Sequence, residues 1–496
     1  MSEFHEVEPS TSTGYALSLL MLGLGLGVLT VRMEHQQRVE QLVEVTKDFK
    51  AFQTSFMGVY LTALLTEWFQ SAFLFVYLRE MHPEQFVVRM YLAGAASQLS
   101  LSVLLEVMGG FVPHKLRCAA CLALQAGSAV LMLHPAFGGL VTSRVLGGFA
   151  AALLHSSFEA WMVEQHVGQG FPLDWFTHTF NKLSVAMSVL AVATGPAVTA
   201  AHDLAGGSVG PFKLSLVLTA VNGCLLLSWR RDSNKPPPAC GDVVRLVSRA
   251  WAAVAGGNGG GGGRNVALVT AAQACFEAAT FAFALLWTPL LRFARGGDDG
   301  YPGPELPWGM VFSQQLACVM IGSVVFKLAM SLSPGTTAEK ICFWASAGGA
   351  LCFFALSLGL PRRGVQTALL GYELCVGLYL NAMGMMRSKH IPQEVRGLVL
   401  AGSKLVTTTA LFVLLVFLSE SRSIATGMCG ALLTAAAVCS ARSARDHGDG
   451  GGDDGAFTDD GQALNGGKGI GQQQQQQQQQ QQGDHEEEGA ELIGRR

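Results

Sequence analysis

The sequence predicts an all-α polytopic membrane protein: two six-helix bundles, twelve spans in all, preceded by one extra helix. Three observations carry this prediction. Thirteen apolar stretches approach or reach the roughly 18–25 residues that cross a bilayer core. Half of the 496 residues are hydrophobic and only 14% are charged, against about a quarter in an ordinary soluble domain. A polar, Gly/Pro-rich segment at 230–264 divides the last twelve stretches into six and six. Hydrocarbon offers the backbone no hydrogen-bond partners, so each spanning stretch must be a helix.

In chain order, the first 14 residues are acidic and carry no Lys or Arg, and residues 15–31 are apolar. The basic residues Arg32 and Arg38 follow this run, whereas a signal peptide starts basic, so the run is expected to stay as a membrane helix. A polar connector of helical spacing completes an N-terminal segment, 1–50. The first bundle, 51–229, holds apolar stretches at 52–79, 86–108, 115–133, 137–165, 177–201 and 211–229. The second, 265–441, holds 265–291, 308–331, 339–360, 365–388, 397–418 and 423–441. The linker contains Pro236-Pro237-Pro238 and a glycine run. That run includes a GxGxxG spacing, but no strand precedes it, so it is not a phosphate loop. Segment 442–496 has Gly/Asp repeats, the run Gln472–Gln482 and Glu486–Glu488, a composition that builds no core and predicts disorder.

Lys and Arg are more frequent in the loops that include the linker and the segment after the last span. By the positive-inside rule these loops are cytoplasmic, which puts the start of the extra helix on the opposite face. A net charge of −3 makes nucleic acid an unsuitable partner. The 11 cysteines are scattered through apolar runs, and Cys118-Ala-Ala-Cys121 has no second pair to complete a zinc site. HExxH and GxSxG are absent. An enzyme is therefore not expected, nor a cofactor or metal.

The informative residues are the ionisable ones inside apolar spans. Each costs about 2.5–3.5 kcal/mol at a helix centre and is normally tolerated where it faces a partner or a wet cavity. The acids are Glu67, Glu159, Glu277 and Glu373, with Glu106 nearer a helix end; the cations are Arg144, Lys182 and Lys404, with Lys327 placed to snorkel. Both signs occur in both halves, which predicts a polar cavity between the bundles with charges pairing across it. Arg144 and Glu159 share one helix but lie about 22 Å apart along it, so each is expected to find its partner on another helix. His155 and Glu159, at i and i+4, could begin a metal site, but no third ligand is identifiable. Trp68, Trp161 and Trp287 fit packing or a cavity wall. Gly195-Pro196 is expected to interrupt 177–201, Thr288-Pro289 to close 265–291, and Gly147-Gly148 to permit close packing.

Several of these motifs resemble the major facilitator superfamily. Arg144-Val145-Leu146-Gly147-Gly148 is similar to its Arg motif in the fourth helix, and ATGPAV at 193–198 to its Gly-Pro motif in the fifth. The loop motif after the second helix is degraded to MGGFVPHKLR and lacks its Asp, which leaves the gating pair of that loop without a member. The stretches at 59–78, 143–166, 272–291 and 372–392 resemble the molybdate-anion transporter branch, which also carries an extra leading helix. This resemblance implies uptake of molybdate, a tetrahedral dianion; separately, a monomer is expected, with the plasma membrane as the default location and an internal membrane as the alternative. Such an anion must trade its water for cations and donors; the candidates are Arg144, Lys182 and Lys404, with Asn181 as a neutral donor. Glu67, Glu159, Glu277 and Glu373 then pair with those cations or carry protons. Transport of another solute, or a non-transporting scaffold that recruits partners through the polyglutamine segment, are the competing expectations.

Overall fold

The computed structural model describes residues 9–40, 46–108, 112–172, 175–229, 262–294, 306–333, 335–392, 395–418 and 421–448. These form thirteen α-helices and no strand. They are α1 (Pro9–Glu40), α2 (Lys47–Met81), α3 (Glu84–Met108), α4 (His114–Met132), α5 (Phe137–Gly168), α6 (Trp175–Ala205), α7 (Gly210–Leu227), α8 (Gly262–Arg292), α9 (Trp308–Leu332), α10 (Ala338–Ser357), α11 (Arg362–His390), α12 (Arg396–Leu418) and α13 (Arg422–Gly448). All thirteen are long and apolar enough to cross a membrane. Most of the linker and the polyglutamine segment lie outside the described residues.

Ordinary capping chemistry starts and stops these helices. The Thr46 hydroxyl accepts from the Phe49 amide and Asp48 lies in the first turn of α2, so a donor is satisfied and the helix dipole is matched. Thr337 plays the same part for α10. Gly170 and Gly359 follow the ends of α5 and α10 at φ of 69° and 70°, the left-handed turn that a side chain resists. Helix α1 runs past its apolar stretch because residues 32–40, RMEHQQRVE, contain good helix formers and neither Gly nor Pro. Helix α6 begins at Trp175, which places Lys182 two turns inside it.

Gly195-Pro196 does not interrupt α6, which continues through both residues. A proline cannot donate to the carbonyl four residues before it, so Val192 O is left without its helical partner. Helix α9 supplies a substitute: the Ser313 hydroxyl reaches Val192 O at 3.1 Å and also contacts Ala191 O. Gly195 permits this approach, since a Cβ there would lie 2.6 Å from Ser313 Cβ. Pro289 likewise lies inside α8, which runs on to Arg292. Ser313→Ala should therefore destabilise the protein by about 0.5–1.5 kcal/mol. Thermal unfolding of purified protein in detergent measures this; a melting temperature equal to wild type would refute the replacement bond.

Within the first six spans, α5 packs on α3 and α4, and α2 on α7; within the second, α11 packs on α9 and α10. The halves meet along α6–α9 and α3–α12. Helix α1 lies over the first of these seams, against both α9 and α6. The Gln314 amide donates to Tyr15 O at 2.9 Å and to the Ser18 hydroxyl at 2.6 Å, and itself accepts from Gln366 at 2.7 Å. Further along α1, Gly23 abuts Val192, and Leu26 is buried with Ala191, Met320, Val324 and Trp68. Helix α1 thus runs beside α9 in the same direction.

Charged contacts tie down the helix ends. Where α4 begins and α5 ends, His114 lies 3.7 Å from Glu164 and contacts Arg117. At the corresponding place in the second half, the buried Glu339 of α10 binds Lys389 and His390 of α11 at 2.8 and 2.9 Å. The polarity is reversed between the halves: the base lies on the earlier helix in one and the acid in the other. On the opposite face, Arg422 of α13 binds both oxygens of Glu84 on α3, at 2.8 and 3.0 Å, and lies over the Phe293 ring.

Candidate functional site

A cavity of about 470 Å³ lies between the two halves. The first half contributes Glu67, Trp68, Tyr91, Gln98, Arg144 and His155, and the second Trp287, Gln315 and Glu373, among others. Small residues make room for Arg144. A Cβ on Gly94 or Gly147 would lie 3.4 Å from its terminal nitrogens, so both glycines wall the guanidinium closely. Gly148, the next residue on α5, lies against Gly94 O and the Ser97 hydroxyl of α3, nearer than any Cβ allows. The Arg144 guanidinium carbon lies 5.9 Å from the Tyr91 ring centroid. Its Nε is buried without a hydrogen-bond partner, and among the described residues no carboxylate reaches it. The expectation that Arg144 pairs with an acid on another helix is not met: the guanidinium faces the cavity.

The other charges do find partners, but within each half rather than across the cavity. His155 of α5 lies 3.7 Å from Glu67 of α2. One turn on, Glu159 accepts from the Tyr60 hydroxyl at 3.4 Å. Lys182 donates to Gln53 at 2.6 Å, and the Gln53 amide passes a bond to Thr179 at 3.2 Å. Asn181, beside Lys182, is half-buried on α6 and does not line the cavity. In the second half, Lys404 of α12 binds Glu277 of α8 at 2.8 Å, and Gln273 donates to the other Glu277 oxygen at 2.8 Å. Of the remaining charges that line the cavity, Glu373 on α11 has no hydrogen bond or ion pair to a described residue.

The structure thus brings together Arg144, Glu67, His155 and Glu373. Lys182, Asn181, Glu159, Glu277 and Lys404 lie off this cavity. So do Glu106, which abuts Gly397 at the end of α3, and Lys327 on the last turns of α9. Trp68 and Trp287 line the cavity, whereas Trp161 stacks on Trp229 with centroids 3.6 Å apart. Among the described residues, no group of three His, Cys, Asp or Glu residues could hold a metal.

Sequence reasoning missed the amides. Gln70, Gln98, Gln125 and Gln315 all line the cavity. Gln70 is held by Ser215 at 3.3 Å and Gln125 by Ala63 O at 3.3 Å. The available signal was their placement: an amide in a membrane span is costly without a partner, just as a charge is.

Chemically, the cavity offers one fork-shaped cation, neutral amide donors and aromatic walls. It also holds two carboxyl groups, one shared with a histidine. This suits a small polar solute, and the unpaired guanidinium suits one that carries negative charge.

A family model described as sugar transporters with 12 transmembrane segments matches residues 18–376. Molybdate-anion transporters are similar over most of their length. That of Danio rerio is 30% identical over 401 residues, covering 76% of this chain and 81% of the relative. That of Takifugu rubripes is 30% identical over 393 residues, covering 74% and 79%, and that of Xenopus tropicalis is 27% identical, covering 70% and 74%. Among solved structures, an auto-inhibited peptide transporter of the POT family aligns at a TM-score of 0.57 with 14% identity, covering 80% of this chain and 97% of that one. A second POT-family transporter aligns at 0.59 with 12% identity, covering 81% and 99%. These two likenesses concern the fold alone. Identity of 30% over about four-fifths of a relative's length, with a family model that matches most of the chain, makes this chain a member of the molybdate-anion transporter family within the major facilitator superfamily.

Proposed function

We propose that this chain takes molybdate into the cell across the plasma membrane, acting as a monomer by alternating access. The observation that carries the reading is Arg144: a half-buried cation in a membrane cavity, its Nε buried without a hydrogen-bond partner, walled by glycines and left without a carboxylate among the described residues. Such a group is costly unless a ligand with matching charge occupies the cavity for part of the cycle. A tetrahedral oxyanion accepts two parallel hydrogen bonds from a guanidinium, whereas a neutral sugar leaves the charge uncompensated. The sugar-transporter description of the family model makes a sugar the competing solute.

Glu373 and the Glu67–His155 pair supply the remaining chemistry. A dianion that enters beside an ionised Glu373 is repelled, and a proton on that carboxyl removes the repulsion. Anion and proton then enter together, and deprotonation towards the inner face helps expel the anion. His155 offers Glu67 a partner, so that acid does not compete for Arg144. Lys182 and Lys404, each already bonded, act as struts rather than ligands.

The test is uptake of labelled molybdate by cells that display the protein, with unlabelled tungstate, sulfate and hexoses as competitors. Tungstate, nearly identical in size and charge, should suppress uptake fully, while hexoses should leave it unchanged. Suppression by hexoses, or no uptake above background from surface-exposed protein, rules the reading out.

A further inference from the structure

We propose that Gln315 is the second half's oxyanion ligand, grasping from α9 the same substrate that Arg144 holds from α5. This rests on the molybdate reading above.

Gln315 is 3% exposed and lines the cavity, and its Nε2 has no hydrogen-bond partner. Its neighbour shows how unusual this is. Gln314 points the other way, spends both ends of its amide on Tyr15, Ser18 and Gln366, and ties α1 to α9 and α11. Two adjacent glutamines therefore do different work: one is fully bonded and structural, the other is buried against the cavity with its donor unspent. A buried amide without partners lowers stability, and a ligand that supplies the missing acceptor offsets this loss while it is bound.

The same condition holds at Arg144 Nε, and the two residues stand on opposite halves. Molybdate presents four acceptor oxygens and no donor. A fork from one side and an amide N–H from the other match it without further charge, which leaves the anion free to depart. The amide can turn its nitrogen to the cavity by rotation about one terminal torsion. Because α5 and α9 belong to different halves, an anion held by both residues also draws the halves together, and its binding then favours closure over the loaded cavity.

Three variants test this, all read by molybdate uptake at matched surface level and by the thermal shift that molybdate gives the purified full-length chain. Gln315→Leu keeps the volume and removes the donor. Its KM should rise about tenfold or more, the loss of one hydrogen bond to a charged ligand, with the maximal rate changed less than KM and the thermal shift diminished. Gln315→Glu keeps the shape but offers only acceptors and a negative charge, and should abolish saturable uptake. Gln314→Leu should lower the melting temperature while KM stays as in wild type. If Gln315→Leu fails to reach the surface, Gln315→Met is read in its place. Wild-type KM in the leucine or methionine variant, with molybdate uptake intact in the parent, overturns the role of Gln315 alone. Absence of molybdate uptake in the parent overturns the oxyanion reading together with it.

Discussion

Arg144→Ala should cut molybdate uptake by about a hundredfold or more at equal surface level. Two charge-assisted hydrogen bonds are lost, each contributing about 1.5–3 kcal/mol, and a factor of ten corresponds to about 1.4 kcal/mol. Arg144→Lys keeps the charge and loses the fork, so an intermediate loss of about tenfold is expected. Lys404→Ala is the contrast. Lys404 already holds Glu277, which keeps Gln273 as a second donor, and neither charge lines the cavity. The lysine variant should lose thermal stability yet transport within a few-fold of wild type per folded molecule. Initial rates normalised to surface-labelled protein give the answer. Near-normal uptake in Arg144→Ala, or abolished uptake in well-expressed Lys404→Ala, would reassign the anion site.

Gly148→Val should prevent most of the protein from folding. At that position α5 and α3 touch backbone to backbone, and any Cβ runs into Gly94 O and the Ser97 hydroxyl. A carbonyl cannot rotate away as a side-chain tip can, so the helices must separate. Overpacking ordinarily costs about 1–3 kcal/mol, and a rigid backbone contact puts this case at or above the upper end. Gly148→Ala should be milder, because only one carbon has to be accommodated. Gly138, near the start of the same helix, meets nothing within 4 Å, so Gly138→Ala is the neutral control. Detergent-solubilised protein, resolved by size-exclusion chromatography and then melted, reports folded yield and stability together. A monodisperse Gly148→Val protein with a wild-type melting temperature would mean that α3 and α5 do not meet there.

The bundle was legible in the sequence because its signal is local: an apolar run of spanning length has one backbone solution in hydrocarbon. That Arg144 and Glu373 are special was only half legible. A charge in a membrane span announces that it needs something, but the sequence does not say what. Glu277 and Lys404 are 127 residues apart, and only the packing of α8 on α12 makes them a pair. Of the charges that line the cavity, Arg144 and Glu373 are left without a described partner, and their importance is visible only after the other pairs are known. Gln315 gave less warning still. Gln314 and Gln315 look alike in sequence, and one helical step of rotation separates a structural amide from one that faces the cavity. Pro196 misled in the other direction: its local rule, a broken helix, was overruled by a hydroxyl on another helix.

That hydroxyl also bears on speed. Ser313 belongs to one half and the carbonyl it serves to the other, so the two cannot slide past each other along α6–α9 without parting donor from acceptor. Each time they part, Val192 O is left bare in a medium with no water to take over. The bond therefore deepens the resting well more than it lowers the crossing point between states, and it slows turnover to the same degree. A chain without it should be less durable but quicker, its maximal rate rising as its melting temperature falls.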